Sequence, residues 1–357
     1  MNTFFVPNSL PALIGSIPLK DHREATNLVL KYTPQIPLWV QLPVYAEEGM
    51  ISQFLPGMPG YVREGEREMV NTQSEGFEQD LLGFYEEYMA AAEGGQSLDE
   101  TRFVLGRDRA EGFQVLLETL KKRETRPAAL KGQITGPVTF ATGVKDQEGK
   151  AIFYDMQLRD AAVKLLGLKA RWQTEKLAEL GLPVILFFDE PALAGFGSSE
   201  FISISKQEVL DCFAEVIGQV HSKGGMTGIH VCANADWSLV LDSEADILSF
   251  DAYAYFEKLL IYAQELKSFL QAGKVLAWGI VPTQEPENID KESADSLLHQ
   301  FREKLKALEE TTGLKEKTLL AQSLITPSCG TGSLDIERAE KVLRLTRELS
   351  DKVREGL

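Results

Sequence analysis

Residues 184–190 read Val-Ile-Leu-Phe-Phe-Asp-Glu, a wholly apolar run that ends in two carboxylates. Such a run is typical of a strand that is covered on both faces, as the strands of parallel sheets are. Helical periodicity flanks it, over residues 159–180 and 206–223. The stretch therefore predicts a parallel strand between two helices, with acidic side chains at its carboxyl end.

Seven further short apolar runs are followed by turn residues. They cover residues 12–16, 38–42, 128–134, 225–232, 247–251, 275–281 and 319–326. Amphipathic helical patterns separate the later runs, at residues 255–271, 293–311 and 336–353. Eight strands that alternate with helices predict the α/β class and a closed TIM-type (β/α)8 barrel.

The chain has 357 residues, which fits one barrel of about 250 residues with insertions. The extra length lies at 44–126, a stretch longer than one crossover needs. In it, residues 54–61 are rich in Pro and Gly and predict a loop or lid, and residues 78–93 and 108–122 predict helices. We expect a single domain over 1–357, with this stretch inserted over the barrel mouth.

Charge and hydropathy exclude two kinds of partner. The net charge of −16 disfavours nucleic acid, because phosphate binding needs a basic face. No apolar run approaches the roughly 20 residues of a membrane span. The first ten residues lack the basic and apolar regions of a signal peptide, so we expect a cytoplasmic protein.

The three cysteines, Cys212, Cys232 and Cys329, are too few for a disulfide framework. Buried apolar thiols are the plainest interpretation, and it suits Cys212, which lies mid-helix between Leu210 and Phe213. The other two cysteines lie at predicted strand ends, where the chemistry of a barrel is placed.

His230 and Cys232 end the fifth predicted strand, and their spacing of two residues points both side chains to the same side. Cys329 follows the eighth strand and Asp251 ends the sixth. A barrel brings these strand ends to one rim. Imidazole, two thiolates and a carboxylate are an ordinary ligand set for Zn²⁺, so the sequence predicts a zinc site at this rim.

The ligand set also predicts a reaction. Zinc held by two thiolates is a weak Lewis acid, but it lowers the pKa of a bound thiol far below its free value of about 8.5. The bound sulfur stays nucleophilic at neutral pH. Such a site suits thiol alkylation better than water activation.

With these residues in place, the chain resembles the carboxyl-terminal catalytic barrel of the cobalamin-independent methionine synthase family, within the wider group that includes uroporphyrinogen decarboxylase. The resemblance runs over most of the chain. Its motifs are Ile14-Gly15-Ser16, Gly136-Pro137-Val138-Thr139, Phe188-Asp189-Glu190-Pro191-Ala192-Leu193, His230-Val231-Cys232 and Cys329-Gly330. The His-x-Cys pair with a distant Cys is also similar to corrinoid-dependent thiol methyltransferases.

The resemblance implies roles for the matching positions. His230, Cys232 and Cys329 would bind zinc, together with Asp251, which stands where the family has a glutamate. Asp189 would hold the amino group of homocysteine or methionine. The substrate would be bound by the acidic pair Asp189-Glu190 and by the Gly15-Ser16 segment. The Gly15-Ser16 backbone and the Ser16 hydroxyl would donate hydrogen bonds to its carboxylate.

The sequence departs from the family at three places. Gln284 occupies the position of the family's catalytic histidine, and an amide cannot transfer a proton. The long amino-terminal half of the full-length synthase has no counterpart here. The second strand region does not follow the synthase closely, although Glu47 or Glu48 could still reach the amino acid.

These observations predict a zinc-dependent S-methyltransferase that moves a methyl group from a carrier to a small thiol, with homocysteine preferred and methionine as the product. The departures favour a corrinoid protein as carrier over methyl-folate. Three alternatives stay open: a transferase of the coenzyme M type, a zinc-free decarboxylase of the porphyrinogen type, and a non-catalytic barrel. The decarboxylase would need an arginine cluster to bind several carboxylates.

Overall fold

The computed structural model describes residues 5–92, 95–198, 201 and 203–355. The strands are β1 (Leu10–Pro11), β2 (Tyr61–Glu64), β3 (Arg67–Val70), β4 (Leu130–Thr135), β5 (Val184–Asp189), β6 (Met226–Val231), β7 (Ile247–Phe250), β8 (Val275–Val281) and β9 (Ser323–Pro327). Seven of them form a parallel sheet in the order β1-β9-β8-β7-β6-β5-β4, and β2 pairs with β3 in an antiparallel hairpin.

Residues 38–41 connect the two edges of the seven-stranded sheet. Ser16, beyond β1, forms a parallel bridge with Gln41, and Leu38 forms another with Lys131 of β4. The sheet is therefore curled like a barrel whose eighth position is occupied by an irregular segment. The prediction of a barrel is confirmed in part, because residues 38–42 do not form the regular strand that we expected.

Helices surround the sheet: α1 (His22–Tyr32), α2 (Phe77–Ala92), α3 (Glu111–Leu120), α4 (Pro137–Gly143), α5 (Met156–Ala178), α6 (Lys206–His221), α7 (Ser238–Leu241), α8 (Ala252–Leu259), α9 (Ala263–Gln271), α10 (Pro286–Lys291), α11 (Ala294–Thr312), α12 (Glu316–Ala321) and α13 (Ile336–Arg354). Side-chain caps fix the starts of the long ones. Asp155 accepts from two backbone amides at the start of α5, and Ser205 and Ser293 form capping boxes on α6 and α11. None of the helices in the described ranges combines the length and apolar character needed to cross a membrane.

The apolar side chains of β5 divide between two cores. Ile185 and Phe187 belong to a cluster enclosed by the strands, whereas Leu186 and Phe188 belong to the larger cluster between the sheet and the outer helices. This alternation follows from the two-residue period of a strand. It aims Asp189, the next residue of the inner series, into the carboxyl end of the curled sheet.

Several predicted boundaries were wrong. The first strand comprises Leu10–Pro11 instead of 12–16, with Ser16 only in a single bridge. Part of the expected strand at 319–326 is helix, since α12 extends to Ala321 and β9 begins at Ser323. The helix expected at 255–271 begins earlier and is divided into α8 and α9 by a 3-10 turn at Leu260–Tyr262.

The stretch 44–126 contains α2 and α3, close to the predicted helices, although Glu93 lies outside the described residues. Its hairpin of β2 and β3 was not foreseen. The stretch packs on α5, where the Phe113 and Trp172 rings lie 5.1 Å apart and the buried Lys169 ammonium donates to the carbonyls of Arg102 and Val104. It also reaches the carboxyl end of β4, because the Thr135 hydroxyl donates to the Met50 carbonyl.

Candidate metal centre

Two strands bring together the three soft ligands that the sequence predicted. His230 lies near the carboxyl end of β6 and Cys232 directly follows that strand, while Cys329 lies two residues beyond β9. One ligand atom from each residue can be chosen so that all three lie within 4.8 Å of one another. A search of the described residues for three or more His, Cys, Asp or Glu side chains that could share one ion finds this group.

The spacing and the atoms fit zinc. A tetrahedral zinc with bonds of about 2.0–2.3 Å holds its ligand atoms about 3.3–3.8 Å apart, which the limit of 4.8 Å accommodates. His230 is buried, and its Nε2 atom has no hydrogen-bond partner. An unpaired buried imidazole nitrogen beside two sulfurs is the arrangement that a soft divalent cation completes.

Ser249 of β7 sets the orientation of this imidazole. His230 Nδ1 lies 2.9 Å from the Ser249 hydroxyl, and the two residues are paired in register across β6 and β7. When Nδ1 carries the proton and donates it to Ser249, the lone pair is left on Nε2. A hydrogen bond at the other ring nitrogen commonly fixes a metal-binding histidine in this way.

A hydrogen bond joins the thiols of Cys232 and Cys329, so the protonation of each depends on the other. The hydrogen bond from Cys329 is the main cause that lowers the pKa of Cys232 to about 4, and the charge of His230 acts in the same direction. The hydrogen bond to Cys232 raises the pKa of Cys329, and burial adds to that rise. Two anionic sulfurs so close together repel one another, so the protein alone favours a single thiolate. A bound cation stabilises both.

The remaining cysteine and histidines lie elsewhere. Cys212 is buried in α6, and burial raises its pKa to about 12, in agreement with its prediction as a core residue. His22 pairs with Glu48, His221 with Asp246, and the exposed His299 with Glu303.

Asp251 lies outside the group of three, although the charges of Cys232 and His230 act on its carboxylate. It is buried, and one carboxylate oxygen accepts the Ala254 amide at 2.8 Å and so caps α8. Burial raises the pKa of Asp251 to about 6. Its contact with zinc stays a prediction, since its clearest role in the structure is the helix cap.

Asp189 ends β5 next to the ligand group. It is paired in register with His230, and its Oδ1 atom is buried without a hydrogen-bond partner. Burial raises its pKa, and the charges of His230 and Lys131 oppose that rise. A free buried carboxylate oxygen suits a ligand that brings a hydrogen-bond donor, such as an ammonium group.

The Gly15-Ser16 segment packs against the loop that carries Cys329. The Ser16 carbonyl accepts the Thr331 amide at 2.9 Å, and its hydroxyl accepts the Gly332 amide at 3.2 Å. A Cβ on Gly330 would lie 2.1 Å from the Ser16 hydroxyl oxygen, so this close approach requires glycine. Side chains of Gln41 and Gln133 cover Gly15. Substrate binding by this segment stays a prediction.

Glu190 has a structural task. It is fully buried, and its two oxygens accept the Val138 and Thr139 amides and the Thr139 hydroxyl at 2.6–2.9 Å. The carboxylate thus caps the start of α4, although burial still raises its pKa to about 7. With both oxygens occupied, its predicted contact with substrate has no support from the hydrogen bonds.

Gln284 is exposed after β8, and its amide donates to the Cys232 carbonyl at 2.8 Å. Gln284 therefore lies beside one of the predicted ligands. Glu48 is occupied by His22 and the Leu42 amide, and Glu47 by Arg63. These contacts give no support to the expectation that Glu47 or Glu48 reaches the amino acid.

A cavity of about 650 Å³ opens after the carboxyl end of β5, and none of the three predicted ligands is among its lining residues. It lies between α4 and the turn after Glu190, and Thr139, Pro191, Ala192, Met50, Tyr154 and Phe201 are among its lining residues. Pockets of about 300–1,000 Å³ are large enough for a small organic ligand. The lining is partly apolar and partly hydroxyl-bearing.

Ser249 and Lys131 were not predicted from the sequence. Ser249 precedes Asp251 by two residues in an apolar run, and this spacing was the available signal that both share a face. Lys131 is a single cation inside the apolar run 128–134. In the structure it is 1% exposed, and its ammonium has no hydrogen-bond partner.

No protein-family model and no curated protein match this chain. Among solved structures, it is similar to a methyltransferase from Methanosarcina mazei, with 16% identity and a TM-score of 0.42 over 68% of this chain and 64% of that one. The chain thus spans less than two thirds of that protein. It is also similar to the tandem GH20 catalytic modules of the pneumococcal exo-β-D-N-acetylglucosaminidase StrH, with 10% identity and a TM-score of 0.47 over 97% of this chain and 85% of that one. Likenesses this distant assign no function.

Proposed function

We propose that this chain is a zinc-dependent S-methyltransferase that transfers a methyl group from a carrier to a small thiol. Homocysteine is the preferred acceptor, which gives methionine as the product. The observation that carries the proposal is the convergence of His230, Cys232 and Cys329 within 4.8 Å, with the His230 Nε2 atom buried and unpaired.

Bound zinc would supply a place where the acceptor thiol is held as its thiolate. The protein's own residues would prepare that place. Ser249 fixes the His230 ring, and the close contact of Cys232 with Cys329 supplies two sulfur ligands. Asp189 would accept a hydrogen bond from the ammonium group of the acceptor through its free oxygen.

The acceptor sulfur would then form a bond to the methyl carbon while the bond between that carbon and its carrier breaks. The bonding electrons stay with the carrier. Positioning accounts for much of the rate in such a transfer, because the two reactants must meet in line. The methyl end of the carrier would approach from the carboxyl end of the curled sheet, where His230, Cys232 and Cys329 lie.

The zinc-free decarboxylase is less well supported. It would require several arginines around the mouth to bind the carboxylates of its substrate. The residues that end the seven strands of the main sheet include no arginine.

The test is a methyl-transfer assay on protein of known metal content. Homocysteine and coenzyme M would each be combined with methylcobalamin and methyl-tetrahydrofolate, for the wild type, Cys329→Ser and Cys212→Ala. Loss of a thiolate ligand should remove both bound zinc and methyl transfer from Cys329→Ser. Cys212→Ala removes a buried thiol outside the site and should keep both.

Full activity in Cys329→Ser would remove the proposed mechanism. A preference for coenzyme M over homocysteine would correct the acceptor and leave the metal chemistry in place. The donor that supports activity, methylcobalamin or methyl-tetrahydrofolate, would identify the class of carrier.

A further inference from the structure

Two opposite charges inside the curled sheet lack hydrogen-bond partners. The ammonium nitrogen of Lys131 and the Oδ1 atom of Asp189 are both buried and unpaired. The side chains belong to the neighbouring strands β4 and β5. Each interacts with the charge of the other, but no hydrogen bond joins them.

The register of the strands explains their placement. The Lys131 backbone is paired with Ile185 of β5, which precedes Asp189 by four residues. Lys131 therefore starts from a point nearer the amino end of the sheet than Asp189. The lysine side chain passes over the ring of Phe187, with the ammonium nitrogen 4.3 Å from the ring centroid. Phe187 and Asp189 project to the same side of β5. The ammonium is therefore directed toward Asp189 from the deeper end of the sheet.

Packing gives no reason for a lysine at this position. Burial lowers the pKa of Lys131 to about 8, and the charge of Asp189 only partly opposes this effect. Neighbouring inward residues such as Ile185 and Phe187 are apolar, and the amide of Gln133, on the same side of β4, donates to the Trp39 carbonyl. A methionine of similar length would fill the same space without burying a charge. The Phe187 ring offsets part of the cost of the buried cation, and Asp189 supplies the opposite charge.

We propose that Lys131 is a positioning residue that acts through Asp189. Its ammonium offsets the negative charge of Asp189 from the deeper side and leaves Oδ1 free to accept a hydrogen bond from the ammonium group of an amino-acid thiol. Lys131 itself does not touch the substrate. This inference rests on the proposed function. It predicts that the site selects acceptor thiols that have a free amino group.

Removal of the cation would leave Asp189 as a single uncompensated charge in an apolar surrounding, which proteins tolerate poorly. Removal of both charges would leave a neutral pair instead. The two substitutions should therefore be strongly non-additive. A residue that only supported the fold would affect every thiol equally.

The test compares two thiols that differ in one group. L-homocysteine and 4-sulfanylbutanoate have the same carbon chain, thiol and carboxylate, but only the first has an amino group. Binding of each to the zinc-loaded protein would be measured by calorimetry for the wild type, Lys131→Met and Lys169→Met. Lys169 is a matched control, because it is equally buried but donates to carbonyls of the inserted stretch.

We expect Lys131→Met to raise the Kd for L-homocysteine by about tenfold or more, because one partner of a buried charge pair is lost. The Kd for 4-sulfanylbutanoate should change by less than about twofold, as should both values for Lys169→Met. In the methyl-transfer assay, the KM for homocysteine should rise while kcat stays nearly constant.

The double variant Lys131→Met/Asp189→Asn should bind homocysteine no more weakly than Asp189→Asn alone. This variant keeps the test decisive if Lys131→Met does not fold, because it contains no unpaired charge. Equal losses for both thiols, or additive losses in the double variant, would overturn the role of Lys131. If the zinc-loaded wild type binds neither thiol, the proposed function itself fails, and this assignment with it.

Discussion

His230 shows how a single hydrogen bond prepares a ligand. Its ring could turn or change tautomer, but the contact of Nδ1 with the Ser249 hydroxyl holds one orientation and leaves Nε2 beside the two sulfurs. The hydroxyl does not need to touch a metal to influence it. Partners of this kind raise the affinity of a site by restricting its ligands before the ion arrives.

Ser249→Ala tests this role. Loss of the hydroxyl should lower zinc affinity by about tenfold, the smaller end of the range for such partners. The measurement is competition against a chromophoric chelator. The control is Ser323→Ala, which removes another buried hydroxyl, one bonded to Trp278 and Leu319 away from the ligands. Equal zinc affinity in Ser249→Ala and wild type would contradict the role of the hydroxyl.

The three soft ligands were predictable from the sequence because each follows from a local rule. Two residues of separation place His230 and Cys232 on one side, and a strand end places Cys329 at the rim. Lys131 and Ser249 were not predictable in the same way. Their roles depend on which residue of the neighbouring strand lies beside them, and that register is set by the whole sheet.

At the scale of elements, the start of the short helix α4 is capped by a carboxylate that follows the next strand, β5. Glu190 follows β5 and binds two amides at the start of α4 together with the Thr139 hydroxyl. The helix has only seven residues, too few to be stable alone. This capping therefore fixes one wall of the cavity that Thr139 and Pro191 line.

Glu190→Gln separates a structural role from a role in substrate binding. The amide replaces one acceptor by a donor and should lower the free energy of unfolding by about 1–3 kcal/mol. Zinc content should stay the same. Urea unfolding checks the first expectation and metal analysis the second. Glu208→Gln, at the partly exposed start of α6, should cost less than about 1 kcal/mol. A large rise in KM without loss of stability would instead favour substrate binding by Glu190.

Element boundaries were predicted well where an apolar run was flanked by polar turns. Residues 184–189 and 275–281 are strands as expected. Leu319 and Leu320 were mistaken for strand because a short apolar run does not distinguish a buried helix from a strand. Residues 260–262 contain neither glycine nor proline, so no local signal marked the break between α8 and α9.

At the scale of the whole molecule, the inserted stretch is held to the curled sheet by buried polar contacts as well as by apolar ones. Lys169 on α5 donates to two carbonyls of that stretch, and burial lowers its pKa to about 7. The sequence predicted the position of the insertion but not this anchor. A lysine inside an amphipathic helix pattern does not reveal its partner.

This lysine makes stability depend on pH. Its pKa in the folded protein, about 7, lies below the ordinary value of 10.5. Between these values the unfolded chain holds a proton that the folded chain does not, so the contribution of Lys169 to stability rises with pH. Below about pH 7 both states hold the proton, and the contribution of Lys169 no longer changes with pH. The slope for one proton is at most about 1.4 kcal/mol per pH unit.

Urea unfolding of wild type and Lys169→Met from about pH 7 to about pH 9 measures this slope. The free energy of unfolding of the wild type should rise with pH relative to that of the variant. Other titrating groups are common to both proteins and cancel in the difference. Parallel pH profiles would show that Lys169 is already charged and solvated in the folded state.

The central claim is that one imidazole and two thiolates of this chain bind a single zinc ion. X-ray absorption at the zinc edge tests it most directly. The prediction is one zinc per chain, with two sulfur atoms at about 2.3 Å and nitrogen or oxygen at about 2.0 Å, and a third sulfur when L-homocysteine is added. A coordination shell of nitrogen and oxygen alone, or a sulfur count unchanged in Cys329→Ser, would contradict it.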